Sequence, residues 1–274
     1  MPVNAPLVSI LIPHFQTYDL VRLCLRSIRR YTKGVSYEVV VIDNGSQDGT
    51  SLEYLRRVEW IRLIERTERI GPGPQGHLEA VQIGIDQSSA PLILSFHTDT
   101  IPIRDDWLVW HIEQIRAHDR IGAVGTYKLE LKSRPLRILK ALEYRVGLWK
   151  TSNSQIGDHR PYIRSHCALY RRDVLEELRL RYDDFEDTAG RPLHYAIESN
   201  GYEARLLNVK EAMQRIVHLN HGTMALISEL DVKKRTVRNQ SERLKRFLFR
   251  TEFQKILADE SLDIGDSFEL LDAT

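Results

Sequence analysis

The chain has 274 residues, 42% of them hydrophobic and 28% charged, with a net charge of +1. That is the balance of a soluble globular protein able to bury a substantial core in one large or two small domains. It removes bulk charge as an argument for nucleic acid, so any basic surface has to be local. The two cysteines, Cys24 and Cys167, are far apart and lack metal-ligand spacing, which fits a reducing compartment. The N-terminus carries no charged leader and its apolar stretch is broken by Pro13; no apolar run reaches bilayer length. A cytoplasmic protein is expected, with the face of a membrane as the alternative location.

In chain order, "LVSILI" (7–12) reads as a short strand stopped by Pro13. The following segment places Val21, Cys24, Leu25 and Ile28 at helical spacing, with Asp19 in the first turn. "YEVVVI" (37–42) is a second buried strand running into "DNGSQDGT", and a helix through Leu52 and Leu55 leads to a strand at 60–64. "GPGPQG" (71–76) is a loop, Leu78, Val81 and Ile85 mark a third helix, and "PLILSF" (91–96) is a fourth strand that ends in "HTDT". Strands alternating with helices imply right-handed crossovers and a mostly parallel sheet covered on both faces. Ligands bind beyond the carboxyl ends of such strands, where both "DNGS" and "HTDT" fall.

Beyond residue 100 the reading gives a helix capped by Asp105, a strand from 121, and an amphipathic basic helix over 135–149. Strand then helix follow at "HCALYRRDVLEEL", and helix, glycine turn and strand at "LHYAIESNGYEARLLNV". Residues 233–250 carry eight Lys or Arg and one Glu, whereas 258–274 carry six acids and no base. The acidic tail is expected either to fold back on the basic segment or to stand solvated.

Asp43, Asn44, Gly45 and Ser46 suit a strand-to-helix turn, and turn chemistry alone would explain them. Their order with "IPHF", the glycine loop and an acidic turn after an apolar strand resembles the nucleotide-sugar half of the GT-A glycosyltransferases of family 2. The likeness is strong over the first 110 residues and looser afterwards. It implies an α/β GT-A fold: residues 1–110 as the nucleotide-sugar-binding half, 111–222 as the acceptor half, and 223–274 as a C-terminal helical extension with a basic helix and an acidic tail.

The resemblance also implies residue roles. Asp43 would contact the nucleobase, with Pro13, His14, Phe15, Asn44 and Gly76 lining the same pocket. His97, Thr98 and Asp99 occupy the place of the family's D-x-D element. Asp99 would hold Mg²⁺ or Mn²⁺, while His97 replaces the first acid and becomes either a contact to ribose or phosphate or a buried histidine. Of the late pair His218 and His221, His221 lies in a loop and is the better ligand by this reading, His218 being placed inside a strand. Asp187 is the expected acceptor base, with Asp184 and Glu186 behind it, although helix capping explains Asp187 nearly as well. The basic pair Arg171–Arg172 resembles an acceptor-side feature, and a charged helix start explains it equally.

The implied function is transfer of a sugar, with inversion, from a nucleoside diphosphate sugar to a saccharide or lipid-linked saccharide acceptor. The setting would be cell-surface polysaccharide or glycolipid assembly, with peripheral membrane contact through the basic helices and no nucleic-acid partner. The alternatives are a GT-A nucleotide-sugar-binding protein that has lost catalysis and a sugar nucleotidyltransferase. The latter is disfavoured because "IPHFQTYD" lacks the glycine and lysine of a phosphate loop.

Overall fold

The computed structural model describes residues 5–68, 73–127, 160–186, 189–219 and 246–265. Strand β1 (Val8–His14), helix α1 (Tyr18–Tyr31), β2 (Tyr37–Asp43), α2 (Thr50–Leu55), β3 (Ile61–Glu65), α3 (Pro74–Asp86) and β4 (Leu92–Phe96) form the first half. Then come β5 (Thr100–Pro102), α4 (Trp107–Arg116), β6 (Ile121–Gly125), β7 (Cys167–Arg171), α5 (Arg172–Glu177), α6 (Gly190–Ser199) and β8 (Glu203–Leu206). A short α7 (Val209–Met213), β9 (Ile216–His218), α8 (Thr251–Ala258) and a 3₁₀ turn at Glu260–Asp263 complete the described elements.

The main sheet runs β3-β2-β1-β4-β7-β6-β8. Its first four strands are parallel, as the alternation of strands and helices requires. β7 is inserted antiparallel between β4 and β6, and β8 returns parallel to β6. One apolar layer packs α1, α4 and α8 on one face through Val21, Cys24, Leu25, Trp107, Ile112 and Ile256. The other packs α3, α5 and α6 through Leu78, Val81, Val174 and Leu193. A Cβ on Gly84 would meet the Leu11 side chain at 3.0 Å, so glycine there lets α3 lie close against β1.

Pro13 does not stop β1, which continues to His14. The Asn44 amide, just past β2, donates to His14 O, so His14 bonds toward β2 and Pro13 faces β4, and the β1–β4 ladder has already ended at Leu11 opposite Ser95. No ladder bond is lost there. Helix α4 begins after Asp106 rather than Asp105, and Asp106 ion-pairs with Arg104 and Arg215 instead of capping. Arg172 wraps its guanidinium around the end of α3, donating to Ile85 O, Ala90 O and Ser88 Oγ, and Arg171 pairs with Asp173. The basic pair is therefore committed to structure. The basic helix expected over 135–149 and most of 233–250 lie outside the described residues.

The C-terminal segment folds back on α1 through its acid Asp263. Buried Arg26 donates through Nε to Asp263 Oδ1 at 2.9 Å, through Nη2 to Asp263 Oδ2, and through Nη1 to Leu257 O. Tyr54 Oη donates to the same carboxylate at 2.9 Å and Trp60 Nε1 to Leu262 O at 2.8 Å. The partner of this part of the tail is thus the first helix. Removing one member leaves the other charge buried without compensation, at a cost of about 3 kcal/mol. Asp263→Ala is expected to lower the melting temperature by several degrees; a melt identical to wild type would show that this anchor contributes nothing.

Candidate functional site

The site is assembled at the carboxyl ends of β1, β2 and β4. β1 and β2 end in register, with His14 opposite Asp43. The Asp43 carboxylate is 1% exposed and fully engaged by protein donors. His14 Nδ1 lies 2.8 Å from Oδ1, Ser46 Oγ donates to the same oxygen, and the Ser46 and Gly45 amides donate to Oδ2 at 2.9 and 3.1 Å. Gly45 has φ +80°, the left-handed conformation that this tight turn needs. Burial pushes the Asp43 pKa up, but the donors from His14 and Ser46 outweigh it and hold the group below the usual carboxylate range.

Asn44 continues the turn. It donates through Nδ2 to Gly76 O at 3.1 Å and accepts from Arg66 Nη1 at 3.1 Å, while Arg66 Nη2 donates to Glu79 at 2.6 Å. The ends of β2 and β3 and the start of α3 are thus tied into one wall. Arg66 carried no signal in the sequence. In the facing β1–α1 turn, non-glycine residues Gln16 and Thr17 adopt φ +53° and +66°, and the Gln16 amide donates to Ser46 Oγ at 2.7 Å. Backbone strain of this kind concentrates at ligand-holding sites. Phe15 and Thr98 are buried and Pro13 is half-buried.

The second cluster forms around Asp99, in the turn between β4 and β5. The small antiparallel sheet pairs Thr100 with His218 on β9, and the Leu219 amide donates to Asp99 O at 2.8 Å. This pairing brings His218 Nε2 to 3.3 Å from Asp99 Oδ1, and His97 Nδ1 lies 3.9 Å from the same oxygen. His97, Asp99 and His218 each offer one ligand atom, all within 4.8 Å of one another. The antiparallel course of β7 sets Phe96 opposite Cys167, which delivers Ser165 and His166 to the same place. His97 Nε2 lies 3.1 Å from Ser165 Oγ, and the His97 amide donates to His166 O at 3.2 Å. The His166 ring stacks on His218 with centroids 4.6 Å apart and planes 16° apart, and its Nε2 is 3.0 Å from Thr126 Oγ1. His77 from α3 meets the His97 ring edge-on at 4.8 Å.

Electrostatics follow from this crowding. Burial pushes the Asp99 pKa up, but the hydrogen bond and charge of His218, with His97 and His166 beyond, overcome it and hold the group well below the usual carboxylate range. Burial lowers His97 to about 4 and His77 to about 3, so both rings are neutral at pH 7. Below them Cys24, buried as expected of a core position, donates to His97 O at 3.8 Å. One carboxylate oxygen and two imidazole nitrogens form a donor set that fits a divalent ion.

The sequence-derived residues therefore divide. Pro13, His14, Phe15, Asp43, Asn44 and Gly76 gather at one turn cluster, and His97, Thr98 and Asp99 at the other. His218, set aside on the ground that it lies in a strand, reaches Asp99; it is indeed in β9, at its last residue. His221 and Asp187 lie outside the described residues. Asp184 and Glu186 are exposed on the segment leading to α6. Ser165, His166, His77 and Arg66 had not been singled out.

The sequence of residues 9–179 matches the family described as Glycosyl transferase family 2. The chain belongs to that family. It is 31% identical to glycosyltransferase AglE of Haloferax volcanii over 112 residues, covering 39% of this chain and 35% of AglE. It thus spans about a third of AglE and less of the second curated relative, Uncharacterized protein y4gI of Sinorhizobium fredii, which is 29% identical over 122 residues, or 44% of this chain and 13% of that protein. Among solved structures, the mannosyltransferase PcManGT from Pyrobaculum calidifontis, in complex with GDP-Man and Mn²⁺, superposes with a TM-score of 0.55 at 18% identity, over 94% of this chain and 74% of that one. S. aureus TarS 1–349 superposes with a TM-score of 0.52 at 14% identity, over 88% and 71%. These likenesses bear out the GT-A α/β fold. No helix among the described residues is long and apolar enough to cross a membrane.

Proposed function

We propose that this family 2 protein transfers a sugar from a nucleoside diphosphate sugar to an acceptor hydroxyl, with inversion at the anomeric carbon. The observation that carries this reading is the convergence of Asp99, His97 and His218 on one point, joined to the Asp43–Asn44 turn through Gly76, which Asn44 bonds, and its neighbour His77, which meets His97. The turn, with Pro13, Phe15, Asn44 and Gly76, receives the nucleoside. Asp99 and His218 hold a Mn²⁺ or Mg²⁺ ion, His218 taking the late-histidine role that the resemblance gave to His221. Such an ion, when bound, neutralises charge growing on the leaving diphosphate.

The residues of the chain do the rest. The walls built from β1, β2, β3 and α3 hold the donor so that an acceptor oxygen attacks in line, which makes a two-body encounter an internal step. Asp187 removes the acceptor proton, with Asp184 and Glu186 as the alternative bases. The acceptor class is a saccharide or lipid-linked saccharide of cell-surface assembly, met in the cytoplasm or at the inner membrane face, with basic segments near 135–150 and 233–250 facing anionic groups.

A transfer assay over a panel of sugar nucleotides, with GDP-mannose and UDP-glucose among the first donors, tests the proposal. Turnover is expected with added Mn²⁺ and is expected to fall at least 100-fold with excess EDTA, since the ion supplies several kcal/mol of transition-state stabilisation. A second reading, nucleotide-sugar binding without transfer, is favoured by His97 standing where the family has an acid. Donor binding with neither transfer nor hydrolysis across the panel would select it. Failure to bind any donor at millimolar concentration would sink both.

A further inference from the structure

The cation site just proposed differs from a pair of acids in its donor atoms and in how those atoms are held. His97 and His218 present two imidazoles to a single carboxylate. A neutral imidazole carries a lone pair on one nitrogen and a proton on the other. His97 Nε2 lies 3.1 Å from Ser165 Oγ, and in the tautomer whose Nε2–H donates to that oxygen the lone pair is on Nδ1, the nitrogen that faces Asp99. His218 presents Nε2 to Asp99 while its ring is held flat against His166, itself fixed at Thr126. Each imidazole therefore has its own orienting partner before any ligand arrives. Partners of this kind fix ligand orientation at metal centres.

Ligand chemistry then separates the ions. Mg²⁺ prefers oxygen, takes only one or two protein carboxylates and relies on substrate phosphates for the remainder. Here the protein offers one carboxylate, which leaves Mg²⁺ dependent on a diphosphate. Imidazole suits first-row transition metals, and three preset protein ligands suffice to hold one.

We propose that His97, Asp99 and His218, with Ser165 as the positioning residue for His97, bind a transition-metal ion in the nucleotide-free protein and discriminate against Mg²⁺. This deepens the reading of the cluster as the cation site of a glycosyltransferase. The ion enters first, and the nucleoside diphosphate completes its shell.

The test uses the full chain stripped with chelator and dialysed, without nucleotide. Co²⁺ is titrated by its visible absorption, and Mn²⁺ and Mg²⁺ by calorimetry. One Co²⁺ or Mn²⁺ per chain is expected, with Mg²⁺ at least 100-fold weaker. His97→Ala is expected to weaken Co²⁺ binding at least 10-fold and to change its spectrum. Ser165→Ala, which keeps all three ligands, is expected to weaken it about 10-fold. His97→Asp is expected to lose the preference over Mg²⁺. Circular dichroism melts confirm that each variant is folded. Co²⁺ binding that appears only after GDP or UDP is added overturns the proposal while leaving the glycosyltransferase reading intact. Native-like Co²⁺ affinity in folded His97→Ala also overturns it. Nucleotide-free binding in a chain that transfers no sugar supports the metal site and removes the transferase reading instead.

Discussion

Asp99→Asn is expected to reduce turnover by two to three orders of magnitude while the protein stays folded. The carboxylate is the one anionic donor in the His97, Asp99 and His218 group, and it is buried. Losing it removes about 3–4 kcal/mol of charge stabilisation from the step in which the diphosphate leaves, a 10²–10³-fold effect on rate. The amide keeps the shape of the side chain, and the backbone contact of Asp99 O with the Leu219 amide does not involve it. Turnover and melting temperature, measured together, check this. Unchanged turnover would return Asp99 to the role of a turn residue, and a collapsed melt would show that its charge is structural.

The second large effect is expected at Asp43, and it is mainly on stability. In Asp43→Ala, the side chain of His14, the hydroxyl and amide of Ser46 and the amide of Gly45 all lose their acceptor. An unsatisfied buried group costs about 1–3 kcal/mol, so a total loss of roughly 3 kcal/mol or more is expected. That corresponds to a drop of roughly 6–12 °C in melting temperature for a domain of this size. Asp43→Asn keeps one acceptor oxygen and is expected to lose less. Donor affinity measured by calorimetry on folded Asp43→Asn separates the two roles of this residue. A weakened donor would support a nucleobase contact, and an unchanged one would leave Asp43 as the residue that shapes the turn. An Asp43→Ala protein that melts like the wild type would refute the turn-holding role.

Much of the first half was legible because its signals are local. The helical spacing of Val21, Cys24, Leu25 and Ile28 puts all four on the buried face of α1, as found. The β-branched run at 39–42 lies inside the sheet, between β3 and β1, and its residues are buried on both faces. Turn chemistry at Asp43–Ser46 was visible for the same reason, since a carboxylate two or three residues before free amides closes its own turn. Pro13 misled because proline is a local signal whose cost depends on a neighbour. Whether a missing N–H matters is decided by where the β1–β4 ladder ends.

His218 shows the opposite limit. Its position in a strand argued against a ligand role, yet the strand is only three residues long and its last residue lies opposite Thr100. That contact spans more than a hundred residues and has no periodic signature. Ser165 and His166 were overlooked for a related reason, because nothing in "SHCALY" says that the strand beginning at Cys167 runs antiparallel beside β4. Direction within the sheet decides which end of a strand meets the site.

By itself the sequence determined the alternating α/β architecture, the two polar turns at strand ends, the family, and Asp99 as a candidate ligand. Periodicity, turn propensity and motif order are all properties of neighbours along the chain. Only the tertiary structure decided that Asp43 is saturated by His14 together with its own turn, that His218 comes beside Asp99, and that Ser165 and His166 contact the two imidazoles. Each of these depends on a pairing between distant segments, where side-chain direction and strand polarity, rather than local composition, set the distances.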